Sequence, residues 1–335
     1  MTKTAIALAA TLLAGCATTP VGLPPVPVYA KAETAPVGTV NDDAADDPAI
    51  WRNAADPAAS LIVATDKKAG LYVYGLDGEI RSFAEAGAVN NVDLVDMPNG
   101  DVIVVASDRN DLANAGIRVY RLDTAAGALD PIGAVRTGAG EGYGLCLHRE
   151  GDRVWAWSPV KEGQIYGQLL DVADGVTVVS ERAYSVPSQP EGCVVDPRNG
   201  TLYVGEEAAG IWRFAAGATG GELVAPIDNR YMVADVEGLA IAPDGTDAGY
   251  LVASSQGDNA FAVYRLPDMA PVGRFAIGAG TFGATEETDG IDLILGDFGP
   301  DYPEGLFVAQ DGINAPAAQN FKLVGWGDIK AALGL

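Results

Sequence analysis

The sequence is poor in the residues from which several common active sites are built. Its 335 residues include one histidine, His148, and three cysteines, Cys16, Cys146 and Cys193. That leaves no material for a multi-histidine zinc site or for a phosphatase with a histidine nucleophile. Basic residues are scarce as well: 21 Lys+Arg stand against 45 Asp+Glu, for a formal net charge of −24. With no basic surplus to neutralise phosphates, nucleic-acid binding is excluded as a reading. A small polyanion would be repelled too, unless it met a local basic cluster, a metal ion that inverts the local charge, or both. Helical periodicity is nearly absent outside Asp328 to Leu333, which removes helical folds from consideration.

The first residues read as an export signal. Lys3 is followed by an apolar stretch from Ala5 to Leu13 and then by Leu13-Ala14-Gly15-Cys16. The stretch is too short to span a bilayer. Small residues directly before a cysteine resemble a bacterial lipoprotein signal, with lipidation of Cys16 after removal of residues 1–15; an ordinary secretory signal with an incidental cysteine is the alternative. Residues 16–32, with Thr, Pro, Val and Ala, are expected to form a tether, and residues 33–335 the folded domain. The expected location is the cell envelope, in the periplasm or at the outer membrane, or the medium. Cys146 and Cys193 could pair in such an oxidising compartment, but each sits in an apolar strand-like run where a buried free thiol fits equally well.

What is abundant is glycine, at 42 residues, and short apolar runs punctuated by Gly, Asp, Asn and Pro. The chain is therefore all-β, and it repeats. An acidic or amide residue opens an apolar strand six times, at Asp46-Asp47-Pro48-Ala49-Ile50-Trp51, Asn90-Asn91-Val92-Asp93-Leu94, Glu141-Gly142-Tyr143-Gly144-Leu145, Glu191-Gly192-Cys193-Val194-Val195, Glu237-Gly238-Leu239-Ala240-Ile241 and Asp289-Gly290-Ile291-Asp292-Leu293. Second strands ending in polar residues follow, such as Leu61 to Lys67 and Leu202 to Glu207, and third strands such as Gly70-Leu71-Tyr72-Val73-Tyr74 and Gly210-Ile211-Trp212-Arg213-Phe214. Six helix-free units at a spacing of about 45 to 52 residues predict a six-bladed β-propeller of four-stranded antiparallel blades.

In an antiparallel hairpin the start of the first strand and the end of the second share one edge of the sheet. Asp46, Asn91, Glu191, Glu237 and Asp289 are thus expected at one end of the molecule together with Lys67, Arg109, Lys161, Glu207, Gln256 and Asp311. If first strands line the channel, these groups converge around its mouth. Acid–glycine pairs also suit strand-opening turns, which is the alternative for any one blade, but turn chemistry does not account for Lys67, Arg109 and Lys161. Hard oxygen donors without His or Cys point to calcium rather than zinc. Carboxylates held this close would repel one another unless cations lay between them.

At these residues the sequence resembles the β-propeller phytases over about residues 33 to 330. The matching stretches include Asp46 to Trp51, Asn90 to Asp93, Glu191-Gly192, Glu206-Glu207, Asp235-Val236-Glu237-Gly238-Leu239, Ser254-Ser255-Gln256-Gly257, Thr288-Asp289-Gly290-Ile291-Asp292, Phe307 to Gly312 and Gln319-Asn320-Phe321-Lys322. The resemblance implies a six-bladed propeller and calcium-dependent hydrolysis of phosphate monoesters of myo-inositol hexakisphosphate, by a metal-bridging water that attacks phosphorus without a phosphoenzyme. It implies that Asp46, Glu191, Glu207, Glu237 and Asp289, with Asp235 close by, hold calcium at the cleavage site. Lys67, Arg109, Tyr143, Lys161 and Glu162 would surround substrate phosphates, and Asp47, Asn91, Asp311 and Asn314 would lie where structural calcium binds. Several calcium ions and a monomer are expected.

Other motifs carry less. Gly278-Ala279-Gly280-Thr281-Phe282-Gly283 spells a dinucleotide fingerprint, but an acidic loop and a strand follow it rather than a helix. Only four residues separate Cys193 from Arg198, without a glycine-rich cradle, which argues against a cysteine phosphatase. His148 is expected to end a strand at the surface, and the Trp and Tyr residues to pack between blades. Rival functions are a calcium-dependent lactonase, which has no evident need for three basic groups, and a lipid-anchored propeller that only binds.

Overall fold

The computed structural model describes residues 21–40 and 42–335. Among them, strands are arranged in six sheets, and the first strands of neighbouring sheets adjoin one another around a closed ring. Blade 1 comprises Ala45–Trp51, Leu61–Asp66, Gly70–Gly75 and Ile80–Glu85. Blade 2 comprises Val89–Asp96, Val102–Asp108, Asn114–Asp123 and Ala128–Ala139, and blade 3 Cys146–Glu150, Arg153–Pro159, Gln164–Asp171 and Thr177–Ser185. Pro190–Val195, Leu202–Glu206, Gly210–Phe214 and Glu222–Pro226 form blade 4, and Val236–Asp244, Ala248–Ser255, Ala260–Leu266 and Ala270–Gly278 the antiparallel part of blade 5. This is the predicted six-bladed propeller.

Blade 6 takes only Ile291–Leu295, Gly305–Asp311 and Asn320–Gly325 from the end of the chain. Its outermost strand is Ala32–Glu33, with Ala32 opposite Leu323 and Glu33 opposite Lys322. The ring is thus fastened by residues from opposite ends of the sequence. Val26–Tyr29, inside the segment expected to be a tether, instead adds a parallel strand outside blade 5, with Val26 opposite Phe275. Its backbone covers donors and acceptors that an outer edge would otherwise leave open. The expected signal over residues 1–15 and the anchor at Cys16 lie outside the described residues. Among the described residues, no helix is long and apolar enough to cross a membrane.

The second strand of a blade is covered on both faces, so Leu61–Asp66 is buried throughout, whereas the outer strand Ile80–Glu85 is largely exposed. Continuous apolar runs and mixed ones therefore reflect position in the blade. The core lies between neighbouring blades. Phe261, Phe275 and Phe307 bridge blades 5 and 6, and Trp155, Trp157, Tyr184 and Phe214 stack in succession between blades 3 and 4. Cys146 and Cys193, on the first strands of those same two blades, form a disulfide. His148, expected at a strand end, sits inside Cys146–Glu150 opposite Trp155 and is half-buried.

Candidate active site

The register places strand starts and strand ends as anticipated: Ala45 faces Asp66, Val89 faces Asp108, Pro190 faces Glu206, and Val236 faces Ser255. The acid–glycine repeats now have a specific cause. A Cβ on Gly192 would lie 2.2 Å from the Glu237 carbonyl oxygen, and one on Gly290 would lie 2.6 Å from that of Asp46. Glycine thus admits the acidic residue of the next blade, and the backbones bond there: Gly238 N–H donates to the Asp289 carbonyl at 2.8 Å, and Gly290 N–H to that of Asp46 at 3.0 Å. Acidic side chains from successive blades are forced together by this packing.

Lys67 sits among three of them, its ammonium 2.7 Å from Asp43, 2.9 Å from Asp46 and 3.2 Å from Asp289. Burial works against its charge, but Asp46, Asp289 and Asp43 outweigh burial and raise its pKa. Gln256 donates to Asp289 at 2.6 Å, and Gln189 donates to Glu207. Ligand oxygens of Glu191, Glu207 and Glu237 all lie within 4.8 Å of one another.

The electrostatics of this triad are unfavourable without a cation. Burial, followed by the charge of Asp46, pushes Glu191 up to about 7. Burial and then Glu191 hold Glu237 well above the usual carboxylate range, and burial raises Glu207. Burial and then Asp46 do the same to Asp289. Oε2 of Glu237 is buried without a hydrogen-bond partner, an expensive state for a carboxylate. An all-oxygen set of this kind fits a hard divalent cation such as calcium.

A basic wall faces the carboxylates. Arg109 donates to Asn90 and to Glu141, and Lys161 lies 3.5 Å from the same Glu141 oxygen. Both cations lie over the ring of Tyr143, Lys161 at 4.4 Å and Arg109 at 5.4 Å from its centroid. Burial, then the charges of Glu191 and Asp46, raises the Tyr143 pKa, so its hydroxyl stays protonated. Asn90 joins the two walls: its amide donates to Glu191 at 2.7 Å and Asp46 at 3.3 Å.

The structure therefore brings together Asp46, Lys67, Arg109, Tyr143, Lys161, Glu191, Glu207, Glu237 and Asp289. Asp235 is half-buried near Glu207, whose carboxyl it helps to raise. Glu162 is exposed and accepts the Glu141 backbone N–H at 3.0 Å. Asp47 turns down the channel, where its carboxylate accepts Val92 N–H at 3.0 Å and lines, with Asn91, a cavity of about 630 Å³. Asp311 and Asn314 surround the buried ammonium of Lys322 at 3.1 and 3.2 Å, beside Asn320 at 3.0 Å and Glu33. Sequence reasoning passed over Asn90, Glu141 and Gln189 as site residues; the first two belonged to the repeat motifs, and that was the available signal.

A chain in a crystal structure of the mitotic checkpoint complex aligns with 96% of this chain and 86% of its own length, at 14% identity and a TM-score of 0.49, too distant to carry an argument. A 3-phytase of Bacillus subtilis is 41% identical over 332 residues, covering 92% of this chain and 85% of the relative. Residues 3–335 match the phytase family, and the chain belongs to that family.

Proposed function

We propose that the protein is a 3-phytase, a phosphoric monoester hydrolase that releases phosphate from myo-inositol hexakisphosphate with calcium as cofactor. The observation that carries this reading is the opposition, at one channel mouth, of the Glu191–Glu207–Glu237 triad to Arg109 and Lys161. Among protein groups, guanidinium and ammonium donors suit phosphate oxygens, and Arg109 can offer two N–H groups at once. A lactone would use neither.

Asp46, Glu191, Glu207, Glu237 and Asp289 would hold calcium. When bound, calcium supplies charge that gathers phosphate oxygens and polarises an attacking water. Lys67 keeps Asp46 and Asp289 together despite their repulsion. Arg109 and Lys161 bind and orient the reacting phosphate, and a second phosphate of the same substrate, anchored at a neighbouring position, adds binding energy away from the reacting bond. Glu207, less buried than Glu191 and Glu237 and raised by burial, is suited to accept the proton of the water whose oxygen forms the new bond to phosphorus. The ester P–O bond breaks, and the inositol oxygen is protonated from solvent. The leader sequence supports export with a lipid anchor at Cys16, and a monomer is sufficient for this site.

The test is phosphate release from hexakisphosphate against calcium concentration at neutral and mildly alkaline pH. Release should vanish with chelator and fall by a factor of about 100 or more in Glu207→Gln. Turnover of lactones without phosphate release would reject the reading.

A further inference from the structure

We propose that Glu141 is a positioning and specificity-determining residue: it occupies, as an internal anion, the charge that an incoming phosphate seeks at Arg109 and Lys161. This rests on the phytase reading for the identity of the substrate. One oxygen of Glu141 serves both cations, through the Arg109 guanidinium and at 3.5 Å from the Lys161 ammonium. Backbone contacts fix it there, since its N–H donates to Glu162 at 3.0 Å and its carbonyl accepts Lys161 N–H at 3.3 Å. Both cations also lie over the Tyr143 ring.

A phosphate reaching this pair must share or displace a resident carboxylate. That cost falls in full on a ligand whose affinity depends on this pair, and only in part on one whose affinity is set largely elsewhere in the site. A monoester has one phosphate with which to meet it. A polyphosphate already held elsewhere in the site meets it at a high effective concentration. Glu141 therefore discriminates against simple monoesters through an element that repels them, a common route to specificity. Its charge, rather than its shape, is the active feature.

The distinguishing variant is Glu141→Gln, which keeps an acceptor of the same length and removes the charge. Calorimetric titration with inorganic sulfate, an unreactive dianion, should show binding tightened by roughly tenfold relative to the parent protein. The KM for 4-nitrophenyl phosphate should fall by a similar factor and that for hexakisphosphate by about threefold or less, narrowing the preference. Glu141→Asp should stay near the parent in both measurements. Sulfate binding that is unchanged or weaker in a Glu141→Gln protein with an unshifted melting temperature overturns the proposal. If Glu141→Gln does not fold, Glu141→Ser carries the same test with the same expected direction. Failure of the parent to release phosphate from hexakisphosphate at any calcium concentration would defeat the phytase reading, while the sulfate titration would still decide the role of Glu141.

Discussion

Asn90 and Glu191 meet across the channel mouth at 2.7 Å, joining the first strand of blade 2 to that of blade 4. The same side chain accepts Arg109 and also donates to Asp46, so one fully buried amide spans the basic and acidic walls. Replacing it with alanine strands three charged groups. Asn90→Ala should lower stability by about 1–3 kcal/mol and raise KM for hexakisphosphate as Arg109 loses its support. Asn90→Asp, adding another carboxylate, should be the less stable of the two in chelator and should recover more on adding calcium; thermal melts with and without calcium check this order.

Glu237 should show opposite signs in two conditions. Its unpartnered buried oxygen burdens the metal-free protein, so Glu237→Gln should melt higher than the parent in chelator. With a ligand removed, the upward shift produced by saturating calcium should shrink, and the parent should be the more stable of the two in calcium. A variant that melted lower in chelator would contradict the assignment.

The raised Glu191 carboxyl sets a pH window. A glutamate in the unfolded chain titrates near 4.3, while Glu191 in the fold titrates at about 7. Between those values the native state holds the extra proton, so stability falls as pH rises from about 4 to about 7 and then levels off. Calcium held as proposed would replace that proton, and its binding should strengthen over the same range. Melting temperatures in chelator should decline across this interval, with a much flatter profile in calcium.

The disulfide between Cys146 and Cys193 closes a separation of 47 residues. Loop-closure entropy predicts that Cys146→Ser with Cys193→Ser loses at most about 4 kcal/mol, read by denaturant unfolding. Because the two cysteines lie in the inter-blade core and not among the site's charged groups, phosphate release at temperatures below the melt should persist.

The six-bladed ring was legible because the repeat recurs at strand starts, where polar groups interrupt apolar runs. The third strands of blades 3 and 6, Gln164–Asp171 and Asn320–Gly325, were less visible, since both depart from the Gly-apolar-aromatic pattern of their counterparts. The convergence of Lys67, Arg109 and the carboxylates followed from hairpin geometry. The roles of Asp47 and Asp311 did not: each adjoins a site residue or closes a strand, but strand alternation sends Asp47 down the channel, and Asp311 answers a buried lysine that only the closed ring brings near. The glycine of the acid–glycine pairs looked like turn chemistry, whereas its reason lies in the adjoining blade. Val26–Tyr29 was hidden because its partner strand is distant in sequence.

The pairing of Ala32 with Leu323 also orders events in time. During synthesis the strand that completes the last blade is made early and must wait, unpaired, until nearly all of the remaining chain exists. Partly assembled rings with open edges are then unavoidable, and contacts so remote in sequence are slow to form. A formal charge of −24 would keep such half-built molecules from sticking to one another, so the acidity that crowds carboxylates together in the finished site would also protect the chain while it is still incomplete.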